Sequence, residues 1–177
     1  MVEFETKINN NVPNHYLQAA FPTDVDAEFV YAQGQFDVVK RPIAKPDYSK
    51  YDEIPMTEQP MNSFVDICNE NEGAAILNTG LKAYESDDDY NHTVYLSLLR
   101  CFELRIYVTP EEQNYSRIEN GSQSFGEHTF RYAFMPHKGD WEDAQVWKAA
   151  EDFNMEILIG QTAPTEHGKN PLRKVVY

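Results

Sequence analysis

Hydrophobic and polar positions alternate in short runs along most of this chain. Phe130, Tyr132 and Phe134 alternate with Thr129, Arg131 and Ala133, the period of two expected of a half-buried strand. Pro136 cannot donate to a sheet ladder, so this strand is predicted to stop near Met135. Lys138-Gly139 then turns the chain. Asp140 stands at a helix N-cap position and Asp143 follows three residues on, where negative charge favours the free N–H groups of a first turn. Ala144, Trp147, Ala150 and Phe153 come at helical spacing, and Asn154 can close the helix. Strand, turn and capped helix are thus predicted in about thirty residues.

The same alternation predicts strands over residues 2–8, 16–21, 24–33, 36–39, 64–68, 74–77, 81–85 and 92–100. Residues 155–159 follow the helix as another strand, and 173–177 begin one more. In the 92–100 strand, Thr93, Tyr95, Ser97 and Leu99 fall on one face, and Val94, Leu96, Leu98 and Arg100 on the other. Residues 42–60 carry Pro42, Pro46, Pro55 and Pro60 with Tyr48, Tyr51 and Met56 between them. That spacing excludes a helix or a central strand. The stretch reads as an extended loop, either functional or a crossover between two sheets. Residues 110–123 are polar without period and read as a surface loop. The sum is a mainly β chain: an antiparallel β-sandwich with one α-helix near 140–154, forming a single domain over 1–177.

Composition narrows the function classes. The chain has 177 residues, 41% hydrophobic and 25% charged, a globular balance long enough for one domain with a core. Its net charge of −14 repels phosphate backbones and anionic lipid, so no nucleic-acid partner and no membrane are expected. The one basic run, Lys40-Arg41 with Lys45 nearby, is too short for a groove that tracks phosphates. Cys68 and Cys101 sit in apolar runs without metal-ligand spacing and read as buried thiols. No secretory leader or long apolar span is evident, which makes the cytoplasm the expected location.

Candidate chemistry is sparse. Asp87-Asp88-Asp89 lacks the glycine and glutamate of a calcium loop and reads as a solvated turn. Glu127-His128 and His137 with Asp140 could be metal ligands, but a strand separates the two groups and structural histidines are expected. No serine carries nucleophile-elbow glycines and no glycine-rich phosphate loop exists. Trp141 and Trp147 could stack on a sugar or pack in the core. The residues alone therefore nominate no catalytic and no metal-binding set.

A family resemblance goes further. The segment G-E-H-T-F-R-Y-A-F-M-P-H-K-G-D-W, from Gly126 to Trp141, resembles a signature of glycoside hydrolase family 38, the retaining α-mannosidases. V-E-F-E-T-K-I at 2–8, F-D-V-V-K-R-P-I at 36–43, P-M-N-S-F-V-D-I at 60–67, A-I-L-N-T-G-L-K-A-Y-E at 75–85 and L-S-L-L-R at 96–100 resemble other stretches of the family in the same order. Those at 36–43 and 60–67 look like its bacterial mannosylglycerate hydrolase branch. The similarity is to the β-rich region downstream of the catalytic barrel.

The resemblance implies a partial chain of a larger enzyme. The catalytic nucleophile and a zinc ion would lie in an N-terminal barrel absent here, so no catalytic residue, metal ligand or cofactor is assigned to this chain, which alone is expected to be inactive. It implies that the sandwich partners that barrel, lends loops to an α-mannoside site, and self-associates through a bare barrel-facing surface. Arg100 and Tyr84 are the candidates for the substrate rim; a salt-bridged strand-end arginine and a packed tyrosine are the plainer readings. The family commonly has Asp-Gln directly before Gly-Glu-His, whereas Ser124-Phe125 intervene after Gln123 here. The alternative is a free-standing carbohydrate-binding module using Trp141, Tyr48 or Tyr51.

Overall fold

The computed structural model describes residues 1–45, 47–50, 52, 56–103 and 120–155, and every structural statement below concerns these. They form two antiparallel sheets. The larger runs, edge to edge, β1 (Val2–Asn10), β10 (Gly126–Lys138), β7 (Glu72–Asn78), β6 (Phe64–Cys68), β3 (Phe29–Gln33) and β4 (Val38–Pro42). The smaller runs β2 (Tyr16–Pro22), β9 (Thr93–Arg100), β8 (Ala83–Ser86) and β5 (Gln59–Pro60). Two helices accompany them, α1 (Asn120–Gln123) and α2 (Val146–Asn154). None among the described residues is long and apolar enough to cross a membrane.

Alternation places Val30, Ala32, Val65, Ile67, Ala74 and Ile76 of the larger sheet in one core with Tyr84, Val94, Leu96 and Leu98 of the smaller. The opposite face of the larger sheet is buried too. Phe64, Ala75, Leu77 and Ala133 pack there against Val146 and Ala150 of α2, with Trp141 and Phe153 alongside. Covered on both faces, β6 is buried at all five positions and β7 at six of seven. The sandwich with a helix near the C-terminal part of the described chain is the architecture that alternation predicts.

Several local expectations differ from the structure. β10 does not stop at Met135 but runs through Pro136 to Lys138. β1 ends its pairing at Val2 opposite Phe134, and from Met135 onward β10 pairs only with β7. A proline there costs no ladder bond on the open side. Likewise β4 includes Arg41 and Pro42, because it is an edge strand.

The helix also begins later. The Asp140 carboxylate accepts from the N–H groups of Glu142 and Asp143, both at 2.9 Å, so it caps the turn over 141–145. Gln145 then takes a left-handed backbone (φ 52°) before Val146 opens α2. The buried face is Val146 and Ala150, which leaves Trp147 exposed rather than in the core.

The polar loop before β10 also contains α1, and Gln123 is wholly buried. Its amide exchanges hydrogen bonds with Asn14, accepting from the backbone N–H at 2.8 Å and donating to the side-chain oxygen at 2.9 Å. The strands expected at 155–159 and 173–177 lie, apart from Met155, outside the described residues. Within residues 42–60, the described parts connect β4 on the larger sheet with β5 on the smaller. That is the crossover reading.

Candidate functional site

The outer face of the smaller sheet carries a polar cluster built around Glu58. Its position follows from an irregularity in β9. Leu17 stands opposite Leu99 and Gln18 opposite Ser97, so Leu98 has no partner. This bulge resets the alternation. Leu98 and Leu99 are both buried, while Arg100, opposite Tyr16, emerges on the same surface as Ser97. Strict alternation had placed Arg100 on the inner face with Leu96; the bulge turns it outward.

Glu58 comes to this surface from the segment just before β5, and its side chain is only 10% exposed. Oε1 accepts from the Tyr16 hydroxyl at 2.7 Å and from Ser97 Oγ at 2.6 Å. Oε2 accepts from Arg100 Nη1 at 3.0 Å. Burial pushes the Tyr16 phenol up to about 12, and the Glu58 carboxylate adds to the shift, so Tyr16 acts as a neutral donor. Beside this group Gln18 Nε2 donates to Glu85 Oε2 at 2.8 Å, and the Thr57 hydroxyl donates to Glu85 Oε1. Arg100 sits over the Phe102 ring, 5.9 Å from its centroid.

Tyr16, Met56, Glu58, Glu85, Arg100 and Phe102 line an open cleft of about 510 Å³. Both carboxylates are already committed to donors within the protein. An arginine, hydroxyls and half-exposed Tyr16, Met56 and Phe102 around a cleft suit binding of a hydroxyl-rich ligand rather than acid–base chemistry.

The two rim candidates are not brought together. Arg100 lies in this cluster, 53% exposed. Tyr84 is wholly buried in the inter-sheet core, where its hydroxyl accepts from Arg41 Nη1 at 3.1 Å. Sequence reasoning missed Tyr16 and Glu58. A carboxylate inside a proline-rich stretch and a tyrosine opening a strand carry no local sign of meeting across 42 residues.

Among the described residues no three His, Cys, Asp or Glu side chains form a group able to hold a metal ion. Where a histidine does meet a carboxylate it meets one, as His137 does Asp66 at 2.7 Å and His92 does Asp26 at 3.9 Å. Those residues therefore do not fit a zinc site. His128 contacts the Ser124 carbonyl at 2.7 Å. Of the rings considered for sugar stacking, Trp141 packs against Tyr31 and Phe64, with centroids 6.2 and 6.4 Å away. Tyr48 lines a different cavity beside Arg41, and Tyr51 lies outside the described residues.

The model of the glycosyl hydrolases family 38 C-terminal domain matches residues 1–103, more than half of the chain and every strand from β1 to β9. The chain belongs to this family. Tyr16, Glu58, Ser97 and Arg100 all fall inside the family 38 match, whereas the Gly126–Trp141 segment lies beyond it. A protein of Halalkalibacterium halodurans named "Putative mannosylglycerate hydrolase" is 28% identical over 96% of this chain and 18% of its own length. Alpha-mannosidase 2C1 of Homo sapiens is 27% identical over 89% of this chain and 13% of its own. The crystal structure of an alpha-mannosidase from Enterococcus faecalis V583 superposes with a TM-score of 0.70 at 28% identity, covering 85% of this chain and 16% of that one. This family 38 chain thus spans less than a fifth of the length of these relatives.

Proposed function

We propose that this chain is the non-catalytic β-sandwich of a retaining α-mannosidase-type glycoside hydrolase, where it supports the catalytic barrel and completes the rim of the sugar site. The observation that carries this reading is the Glu58-centred cluster, in which the bulge in β9 aims Arg100 outward into an open cleft. Arg100 is the rim residue, and Tyr84 acts beneath the surface by holding Arg41. The nucleophile and the zinc ion belong to the barrel of the parent enzyme. The isolated chain then releases no product from α-mannosides, and exposed Met1 together with Val2 and Phe4 of β1 drives self-association when the barrel is absent. The smaller scope is a free-standing sugar-binding module, which the packed Trp141 does not favour.

The deciding measurement is the mass of the native polypeptide in its source cells, by immunoblot against this chain. A band several times larger than 20.5 kDa is expected. A band at 20.5 kDa, or hydrolysis of an aryl α-mannoside by the purified chain that survives contaminant controls, overturns the proposal.

A further inference from the structure

His15 and Cys101 stand one step beyond the paired ends of β2 and β9. The ladder sets Tyr16 opposite Arg100, and it continues by one residue, the Cys101 N–H donating to the His15 carbonyl at 2.8 Å. Residues facing each other across antiparallel strands have side chains within reach, and here the Cys101 sulfur comes to 4.0 Å from His15 Nε2. The sulfur is also fixed by Asn10, a residue only 7% exposed, whose Nδ2 lies 3.4 Å from it. That amide is itself anchored on the Gln123 and Ser124 carbonyls, both at 2.9 Å.

His15 and Cys101 both line the open cleft, and so does Met56. The Met56 side chain is exposed, with its sulfur 3.6 Å from Arg100 Nη2, and a thioether on three rotatable bonds is free to turn toward the other two. A thiol, an imidazole and a thioether thus border one space. Sulfur ligands select soft ions such as copper(I), which imidazole also accepts. The separation sets the coordination. With metal–sulfur and metal–nitrogen bonds of roughly 2.3 and 2.0 Å, two ligands stand about 3.5 Å apart at a tetrahedral angle and about 4.3 Å apart in line. At 4.0 Å, His15 and Cys101 hold an ion at a wide angle, which suits two or three ligands rather than the tetrahedral four of zinc. Charge points the same way. The ion displaces the thiol proton to solvent, and a thiolate with a monovalent cation then sums to zero around a sulfur that is nearly buried.

We propose that this end of the cleft binds a soft monovalent metal ion of the copper(I) class, held by Cys101 Sγ and His15 Nε2 with Met56 Sδ as the third ligand. The site shares the cleft with Arg100 but does not rest on the function proposed above. The test titrates the 177-residue chain anaerobically with copper(I) against a chromophoric chelator, reads thiolate-to-metal charge transfer in the near ultraviolet, and repeats the titration with zinc(II).

Copper(I) is expected to bind saturably, one ion per chain, and more tightly than zinc(II). Cys101→Ser should abolish this binding, His15→Gln should weaken it about tenfold or more, and Met56→Leu should weaken it by a smaller factor. Cys68→Ser is the control: burial and the Asp66 carboxylate push the Cys68 thiol up, so its loss should leave the titration unchanged. Should Cys101→Ser fail to fold, His15→Gln carries the same test. Absence of saturable copper(I) binding overturns the proposal, as does binding that is indifferent to His15→Gln or that is lost in Cys68→Ser. Tighter binding of zinc(II) overturns the assignment to a soft monovalent ion, and indifference to Met56→Leu overturns the third ligand.

Discussion

Replacing Glu58 with alanine tests whether the cleft is built or incidental. The carboxylate is 10% exposed and serves three donors, Tyr16, Ser97 and Arg100. Hydrogen bonds to a charged group contribute about 1.5–3 kcal/mol each when the partner cannot be replaced, and stranding a fully buried ion costs about 3–5 kcal/mol. Neither upper value applies here. The Tyr16 and Ser97 hydroxyls lie in contact, and once Glu58 no longer takes their protons one can donate to the other. Arg100 is 53% exposed and can turn its guanidinium into water. A net loss of about 2 kcal/mol follows, or an unfolding temperature about 4–8 °C lower for a chain of this size.

Arg100→Gln breaks the same ion pair from its exposed end and should cost only about 1 kcal/mol or less. Calorimetry or urea unfolding of the two variants reads the difference. Equal losses, or a loss below about 0.5 kcal/mol for Glu58→Ala, would refute the claim that Glu58 clamps its segment to the sheet and thereby positions Arg100.

The other predictions concern the covered face of the larger sheet. His137 is almost wholly buried against Asp66, with Nε2 and Oδ2 2.7 Å apart. Burial alone would pull its pKa down, but the hydrogen bond and charge of Asp66 more than offset this and raise it. A raised folded-state pKa gives stability that is fully present below the unfolded value of about 6.5 and is lost as pH rises through the folded one. The stability advantage of the native chain over His137→Gln should therefore shrink with rising pH above about 6.5, and an advantage that grows instead contradicts the assignment. Gly73 makes this contact possible. A Cβ there would stand 2.3 Å from His137 Cε1 and 2.6 Å from Cys68 Cβ, so Gly73→Ala should cost about 1–3 kcal/mol. Adding His137→Ala to that variant should relieve part of the cost, and strict additivity of the two changes would count against the clash.

Alternation made the architecture legible because sheet faces repeat every two residues and the turns between them carry Asn, Gly and Pro. What it could not supply were properties set by a neighbouring strand. Pro136 reads as a strand end until β1 is seen to stop opposite Phe134, leaving that stretch of β10 with one partner. Asp140 reads as a helix cap, and its carboxylate does cap two N–H groups, but the left-handed Gln145 separates that turn from α2. No short-range signal marks a glutamine for the left-handed region, where glycine and asparagine are the usual occupants. Arg100 was nominated as a rim residue by resemblance alone. Its burial partner Glu58 was invisible, because nothing local ties a carboxylate in a proline-rich stretch to a serine 39 residues on.

The bulge in β9 connects these threads. Residues 96–100 read L-S-L-L-R, and an uninterrupted strand would point Leu96, Leu98 and Arg100 into the core together, with Leu99 toward solvent. Burying a guanidinium among Val94, Leu96 and Ile76 without a partner is far costlier than leaving one backbone position unpaired. Two adjacent leucines followed by an arginine are therefore satisfied together only if the register slips once between Ser97 and Leu99, and that is where Leu98 loses its partner. The slip buries both leucines and delivers Arg100 beside Ser97, within reach of Glu58. The core's demand for both leucines and the surface's demand for the arginine thus require the same backbone defect, and the cleft is formed at the place where the strand resolves them.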